Sequence, residues 1–290
     1  TCREKILSED YWELLLDYEP EVGSGQWEGA DYCIAPVGDG ISVVYYRMPA
    51  EDIQKLNSFF YYEIPKCYGL MQQEIGTGMG FDTFALADAG ILQVQEPPLS
   101  LMGRGVVMAF LDTGIRYTQE AFLDAYGESR ILSIWDQTLS EGEAPEDFLY
   151  GTEYTREQIN EALRAESPRR LVKSWDESGH GTAMASAAAG SRIDGGRTFT
   201  GAAPEAQLVV IKLRQAKQYL RDYYLLPEGA DAYSEADIMM AVRYAERYAV
   251  ALQRPLILCL GIGTSYGSHT GTSLLDRYLN AVTGRRSRAA

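Results

Sequence analysis

The sequence predicts an α/β protein in which a mostly parallel sheet carries helices on both faces, preceded by a small α+β unit. Two observations carry this. From residue 105 onward, short apolar runs alternate with stretches of helical length and periodicity, the alternation that builds parallel sheets. Before residue 70, stretches of helical spacing lie beside aromatic and β-branched runs that read as strands. A length of 290 residues suits one to two domains.

In the first unit, residues 8–18 (SEDYWELLLDY) place leucines and aromatics at helical spacing, which predicts a helix. Residues 31–36 and 41–48 read as strands, the second rich in Val and Tyr. A helix near 51–59 and a strand around 60–64 are expected next. Residues 67–98 read as a linker with a short helix near 84–89. In the second unit the expected strands are 106–111, 130–135, 207–213 and 255–260. The run 106–111 is apolar throughout, as a strand buried on both faces should be. Helices are expected at 155–164, 181–190, 234–251 and 272–282. Ser234 followed by Asp237 resembles a capping arrangement at the start of one of them. The charged, turn-rich stretch 139–151 reads as a loop.

Composition excludes several classes of function. The formal net charge is −15, and the 26 Lys and Arg are scattered, so there is no basic stripe for nucleic acid. The apolar runs are too short for a membrane span. Cys2, Cys33, Cys67 and Cys259 form no CxxC pair, which removes support for a zinc or thioredoxin-like site. At this density they read as buried or free thiols rather than a disulfide framework. No basic leader with an apolar core opens the chain, which points to the cell interior or the spore.

The chemistry concentrates in two stretches. Val106–Leu111 ends in Asp112-Thr113-Gly114-Ile115, which puts a carboxylate at the carboxyl end of a buried strand, where α/β sheets gather their functional residues. Alone, such a bend is also an ordinary turn. Asp176-Glu177-Ser178-Gly179-His180-Gly181-Thr182 sets one of only two histidines between glycines, before a helix of small side chains. A carboxylate that orients an imidazole, and an imidazole that takes a proton from a hydroxyl, are the acid–base parts of acyl transfer. Aspartate before histidine is also the subtilisin chain order. The other histidine, His269, lies in a glycine-rich loop and reads as a loop residue rather than a second base.

On these residues the chain resembles the subtilases, the subtilisin-like serine peptidases. Asp112-Thr113-Gly114-Ile115 and His180-Gly181-Thr182 match the aspartate and histidine motifs of that family, and Gly201-Ala202-Ala203-Pro204 matches a segment that precedes a core strand. Ile134-Trp135-Asp136-Gln137-Thr138 and Tyr266-Gly267-Ser268-His269 resemble the clostridial, germination-associated members. The resemblance implies a prodomain-like unit at 1–70, a linker and lead-in at 71–102, and the N-terminal portion of a subtilisin-like peptidase domain at 103–290. It implies that Asp112 orients, that His180 is the base, and that the backbone of Gly261, Ile262 and Gly263 pairs with an extended peptide. Gly261 departs from the serine usual there, a change expected to leave main-chain pairing intact. The implied partner is a peptide or protein substrate. No cofactor is implied, and although calcium often stabilises subtilases, no ligand set for it is identifiable.

The family's Gly-Thr-Ser nucleophile motif is not found. Gly181-Thr182-Ala183-Met184-Ala185 has Ala183 where serine is needed, and Ser273 in Gly271-Thr272-Ser273 comes too early in the fold. The oxyanion asparagine is also missing. The expectation is therefore a serine endopeptidase seen as a fragment, which alone is inactive. The alternative is a pseudoprotease that binds a peptide or partner protein.

Overall fold

The computed structural model describes residues 1–21, 28–48, 61–71, 83–193, 199–285 and 288–289. Helix α1 (Cys2–Leu7) is started by a capping box between Thr1 and Glu4. It packs on an antiparallel sheet of β1 (Tyr11–Leu16), β2 (Tyr32–Gly38), β3 (Ile41–Arg47) and β4 (Tyr62–Glu63), ordered β2-β3-β1-β4. The helix expected at 8–18 is thus strand β1. The reason is that both of its faces are apolar. Tyr11 and Leu15 join the main core while Leu14 and Leu16 fill a small separate one, so alternation is hidden inside a continuous run. The helix expected near 51–59 lies outside the described residues.

Cys2 and Cys33 are joined by a disulfide that ties α1 to β2, which corrects the free-thiol expectation for this pair. Low cysteine density said nothing about two residues that the fold brings together. Cys67 and Cys259 are free and partly buried.

After β5 (Cys67–Leu70) and two short helices, α2 (Thr83–Asp88) and α3 (Ile91–Gln95), the chain builds the larger sheet. The elements of this part of the chain are β6 (Val107–Asp112), β7 (Ile131–Asp136), β8 (Thr152–Thr155), α4 (Arg156–Arg164), α5 (Pro168–Leu171), α6 (His180–Ala189), β9 (Gln207–Lys212), α7 (Gln218–Tyr223), β10 (Tyr233–Ser234), α8 (Glu235–Leu252), β11 (Leu256–Leu260), β12 (Ile262–Gly263), α9 (Leu274–Thr283) and β13 (Arg288–Ala289). The larger sheet has the order β13-β11-β6-β9-β7-β8, parallel except for the edge strand β8. This is the expected α/β arrangement, with α6 and α8 packed on β6. Every residue of β6 is buried, so Asp112 ends a central strand flanked by β9 and β11.

The two units share one apolar core, which runs from Leu15, Val43 and Tyr45 through α8 to Val107, Val209 and Leu256. A buried ionic knot reinforces this seam. Glu13 of β1 is fully buried and is held by Arg214 at 2.5 Å and by the Ser234 hydroxyl at 2.7 Å. Arg214 also donates to Asp237 at 2.6 Å and to the Ile6 carbonyl at 3.1 Å. Lys217 donates to the Ser8 and Tyr11 carbonyls, both at 2.8 Å. Asp237, read from sequence as half of a helix cap, is turned to Arg214 and Tyr150 instead.

Candidate active site

Asp112 and His180 meet at the carboxyl end of β6. His180 Nδ1 lies 2.7 Å from Asp112 Oδ1, which also accepts the Thr113 amide at 2.7 Å. The contact depends on how closely α6 approaches the strand. A Cβ on Gly181 would lie 2.3 Å from the Gly114 carbonyl oxygen, so only glycine lets the helix start here.

Asp176, which sequence reasoning quoted but gave no role, locks the two segments together. Its Oδ1 accepts from the Thr113 hydroxyl and the Gly179 amide, both at 2.8 Å. Its Oδ2 accepts from the Thr182 amide at 2.8 Å and the Thr182 hydroxyl at 2.6 Å. Thr113 Oγ1 in turn accepts the Gly181 amide at 2.9 Å. The aspartate turn and the histidine helix are therefore fastened through one buried carboxylate. Burial works to raise its pKa, but these four hydrogen bonds outweigh it and hold Asp176 below the usual carboxylate range. Its place four residues before His180, ahead of two turn formers, was the available signal.

Burial raises the Asp112 pKa, and the hydrogen bonds from His180 and Thr113 only partly oppose it. For His180, burial favours the neutral ring, yet the hydrogen bond and charge of Asp112 and the Met71 carbonyl together raise it above its ordinary value. Asp112 Oδ2 is buried with no hydrogen-bond partner among the described residues. A Cβ on Gly261 would lie 2.1 Å from that oxygen, so the absence of a side chain at this position lets the cleft wall close onto the pair.

The expected peptide-pairing segment is engaged, and by the chain itself. Ile262 and Gly263 of β12 pair antiparallel with Leu70 and Gly69 of β5, and the Met71 amide donates to the Gly261 carbonyl at 3.0 Å. On its other edge β5 pairs with β10, Tyr233 facing Tyr68 and Ser234 facing Cys67. Residues 67–70, expected to be linker, are thus the middle strand of the sheet β10-β5-β12. Four residues with a central glycine carry little strand signal of their own, and the pairing supplies the structure. The strand ends at the imidazole, where His180 Nε2 lies 2.9 Å from the Met71 carbonyl oxygen.

His269 and Ser273 do not join the pair. His269 Nε2 contacts the Ser265 carbonyl at 3.1 Å in an exposed loop. Ser273 caps α9, its hydroxyl turned to Asp276 at 2.8 Å. Among the described residues no group of three or more His, Cys, Asp or Glu is arranged to hold a metal ion. No described helix is long and apolar enough to cross a membrane.

Both ring nitrogens of His180 face acceptors, an arrangement that suits the imidazolium. His180 is therefore expected to titrate above ~6.5, the unperturbed value. The stability it lends is present below the unfolded-state pKa and is lost as pH rises through the folded one. Ring NMR of the 290-residue chain, assigned with His180→Gln, checks this. A midpoint at or below the unperturbed value contradicts it.

The structure thus sets an Asp–His pair at the strand ends of a parallel α/β sheet, with the short sheet β10-β5-β12 beside it. The chain belongs to the subtilase family, whose family model matches residues 103–286. It is 28% identical over 195 residues to the subtilisin-like protease SBT3.5 of Arabidopsis thaliana, a match that spans 61% of this chain and 23% of that protein. The solved CspB protease of Clostridium perfringens is similar at 29% identity with a TM-score of 0.57, over 71% of this chain and 39% of that one. The chain thus spans well under half the length of either relative.

Proposed function

We propose that this chain carries the acid–base half and the substrate groove of a serine endopeptidase, with residues 1–70 as a prodomain-like unit whose last strand fills that groove. One observation carries the reading: the Met71 carbonyl lies on the Nε2 face of an imidazole whose Nδ1 face is held by Asp112. In the reaction Asp112 fixes the ring, and His180 takes a proton from a serine hydroxyl as it attacks the Met71 carbonyl carbon. The same proton then passes to the leaving amine, and water repeats the cycle on the acyl-enzyme. Backbone groups of Gly261, Ile262 and Gly263 hold the peptide as an added strand. The serine and the oxyanion asparagine come from sequence that follows α9 in the gene product. Residues 71–102 link the prodomain-like unit to the peptidase portion, and the cell interior or the spore is the expected compartment.

The second reading, a pseudoprotease regulator, draws on the same contact, because a strand seated on the imidazole also suits a protein that only holds peptides. Fluorophosphonate labelling of the product of the entire reading frame separates the two. Labelling, together with an N-terminal fragment whose mass ends at Met71, is expected. A product that takes no label and stays uncut belongs to the regulator.

A further inference from the structure

We propose that a cavity at the amino-terminal end of the larger sheet binds a small organic anion, a phosphate or carboxylate group carried on an aromatic or apolar body. The cavity, of about 940 Å³, opens where Arg130 leads into β7 and Gln207 begins β9. Asp112 and His180 stand at the other end of the sheet. Helix α6 measures the separation. His180 is its first residue, while Ala189 closes it beside Arg130. Ten helical residues span about 15 Å. Nothing at this end depends on hydrolysis at the other.

Arg130 supplies the reason for an anion. It borders the cavity and is only 6% exposed. Its guanidinium donates to the Ala206 carbonyl at 2.6 Å, the Ala121 carbonyl and the Ser191 hydroxyl at 2.9 Å each, and the Ala189 carbonyl. These neutral acceptors take four of its five N–H groups. The fifth, on Nη1, has no acceptor among the described residues, and none of their carboxylates is within ion-pair distance. Burial pushes the pKa down to about 10, against the charges of Asp124 and Glu205. A buried charge with no counter-charge in contact is costly, and an anion in the cavity would relieve it. The nearby carboxylates are engaged elsewhere. Asp124 Oδ1 accepts the Tyr126 and Glu128 amides at 2.9 and 3.0 Å, and Glu205 accepts from Arg104 at 2.8 Å. Arg156 and Arg192 border the same cavity. Arg156 comes no closer to Asp124 than 3.6 Å, beyond hydrogen-bond length. Guanidinium groups grip phosphate and carboxylate through paired N–H bonds. The remaining walls suit a body larger than a bare anion. They include Met102, Leu123, Pro204 and Tyr126, which is 91% exposed on the turn that Asp124 holds.

Isothermal titration of the 290-residue chain at fixed ionic strength tests this with phenyl phosphate and benzoate as probes. At least one is expected to bind with a Kd below about 1 mM, and the tighter of the two identifies the anionic group. The matching bare anion, inorganic phosphate or acetate, is expected to bind at least about tenfold more weakly, because it leaves the apolar walls unused. Arg156→Gln/Arg192→Gln is expected to weaken the better probe at least about tenfold. Arg170→Gln/Arg247→Gln, which removes the same charge from other exposed positions, is expected to change it by less than about twofold. No binding of either probe up to about 10 mM overturns the proposal. So does an equal loss in the two double variants, or a bare anion that binds as well as its aromatic counterpart. Should Arg156→Gln/Arg192→Gln fail to fold, Tyr126→Ala decides, since a ring so exposed adds little to the fold. Weakening of at least about threefold supports the site, and unchanged affinity overturns it.

Discussion

Arg214→Ala is expected to destabilise the protein by about 3–5 kcal/mol, the cost of removing one partner from a buried ion pair. Arg214 stands between two carboxylates from different units, Glu13 of β1 and Asp237 of α8, and both are almost wholly buried. Without the guanidinium they face each other across the seam, since Lys217 lies 4.0 Å from Glu13 and is spent on carbonyls. Burial already raises the Glu13 pKa, and the Asp237 charge raises it further, against Arg214, Lys217 and Ser234. In the variant the main lowering influence is gone. A carboxyl with a raised folded-state pKa lends stability below its unfolded value and loses it as pH rises through the folded one. The variant should therefore be closest to the parent near pH 4 and fall away toward neutrality. Urea unfolding at several pH values, followed by fluorescence of Trp12, which stacks on Tyr219 across this seam at 4.7 Å, reads both effects. A loss below about 1 kcal/mol, the scale of a surface pair, would show that the knot is not what holds the units together.

The sequence made the larger sheet legible because its strands carry their own signal. Val107–Asp112, Gln207–Lys212 and Leu256–Leu260 are apolar runs bounded by turns, and burial on both faces is what such runs mean. The Asp112 and His180 segments were legible because carboxylate, glycine and imidazole are rare in that arrangement. What stayed hidden depends on partners. Tyr11–Leu16 looked helical because each face answers to a different core. Cys67–Leu70 takes strand form from β10 and β12, both of which lie more than 160 residues further on. The knot around Glu13 is equally non-local, as Arg214 lies 201 residues from it. Asp176 was visible as a residue but not as a fastener: three of its donors lie within six residues, but the Thr113 hydroxyl, 63 residues away, reaches it only after β6 and α6 pack.

Asp112→Asn should leave the fold standing and still damage the proposed hydrolytic step severely. Asparagine matches aspartate in size and shape, so the packing around position 112 is kept. What is lost is the charge opposite His180 Nδ1. An asparagine turned amide-first offers a donor to that nitrogen and forces the proton onto Nε2, the atom that must be free to act as base. In the product of the entire reading frame, cleavage after Met71 is expected to slow by roughly 10⁴, the scale of the same change in a triad of like geometry. The 290-residue chain gives an independent readout. The hydrogen bond and charge of Asp112 lead the contributions that raise the His180 pKa, while burial lowers it. With Asp112 neutral, burial prevails and the titration midpoint moves down. Cleavage within about tenfold of the parent rate, with thermal unfolding unchanged, would remove Asp112 from the proposed machinery. An unmoved midpoint would show that its carboxylate does not govern the ring.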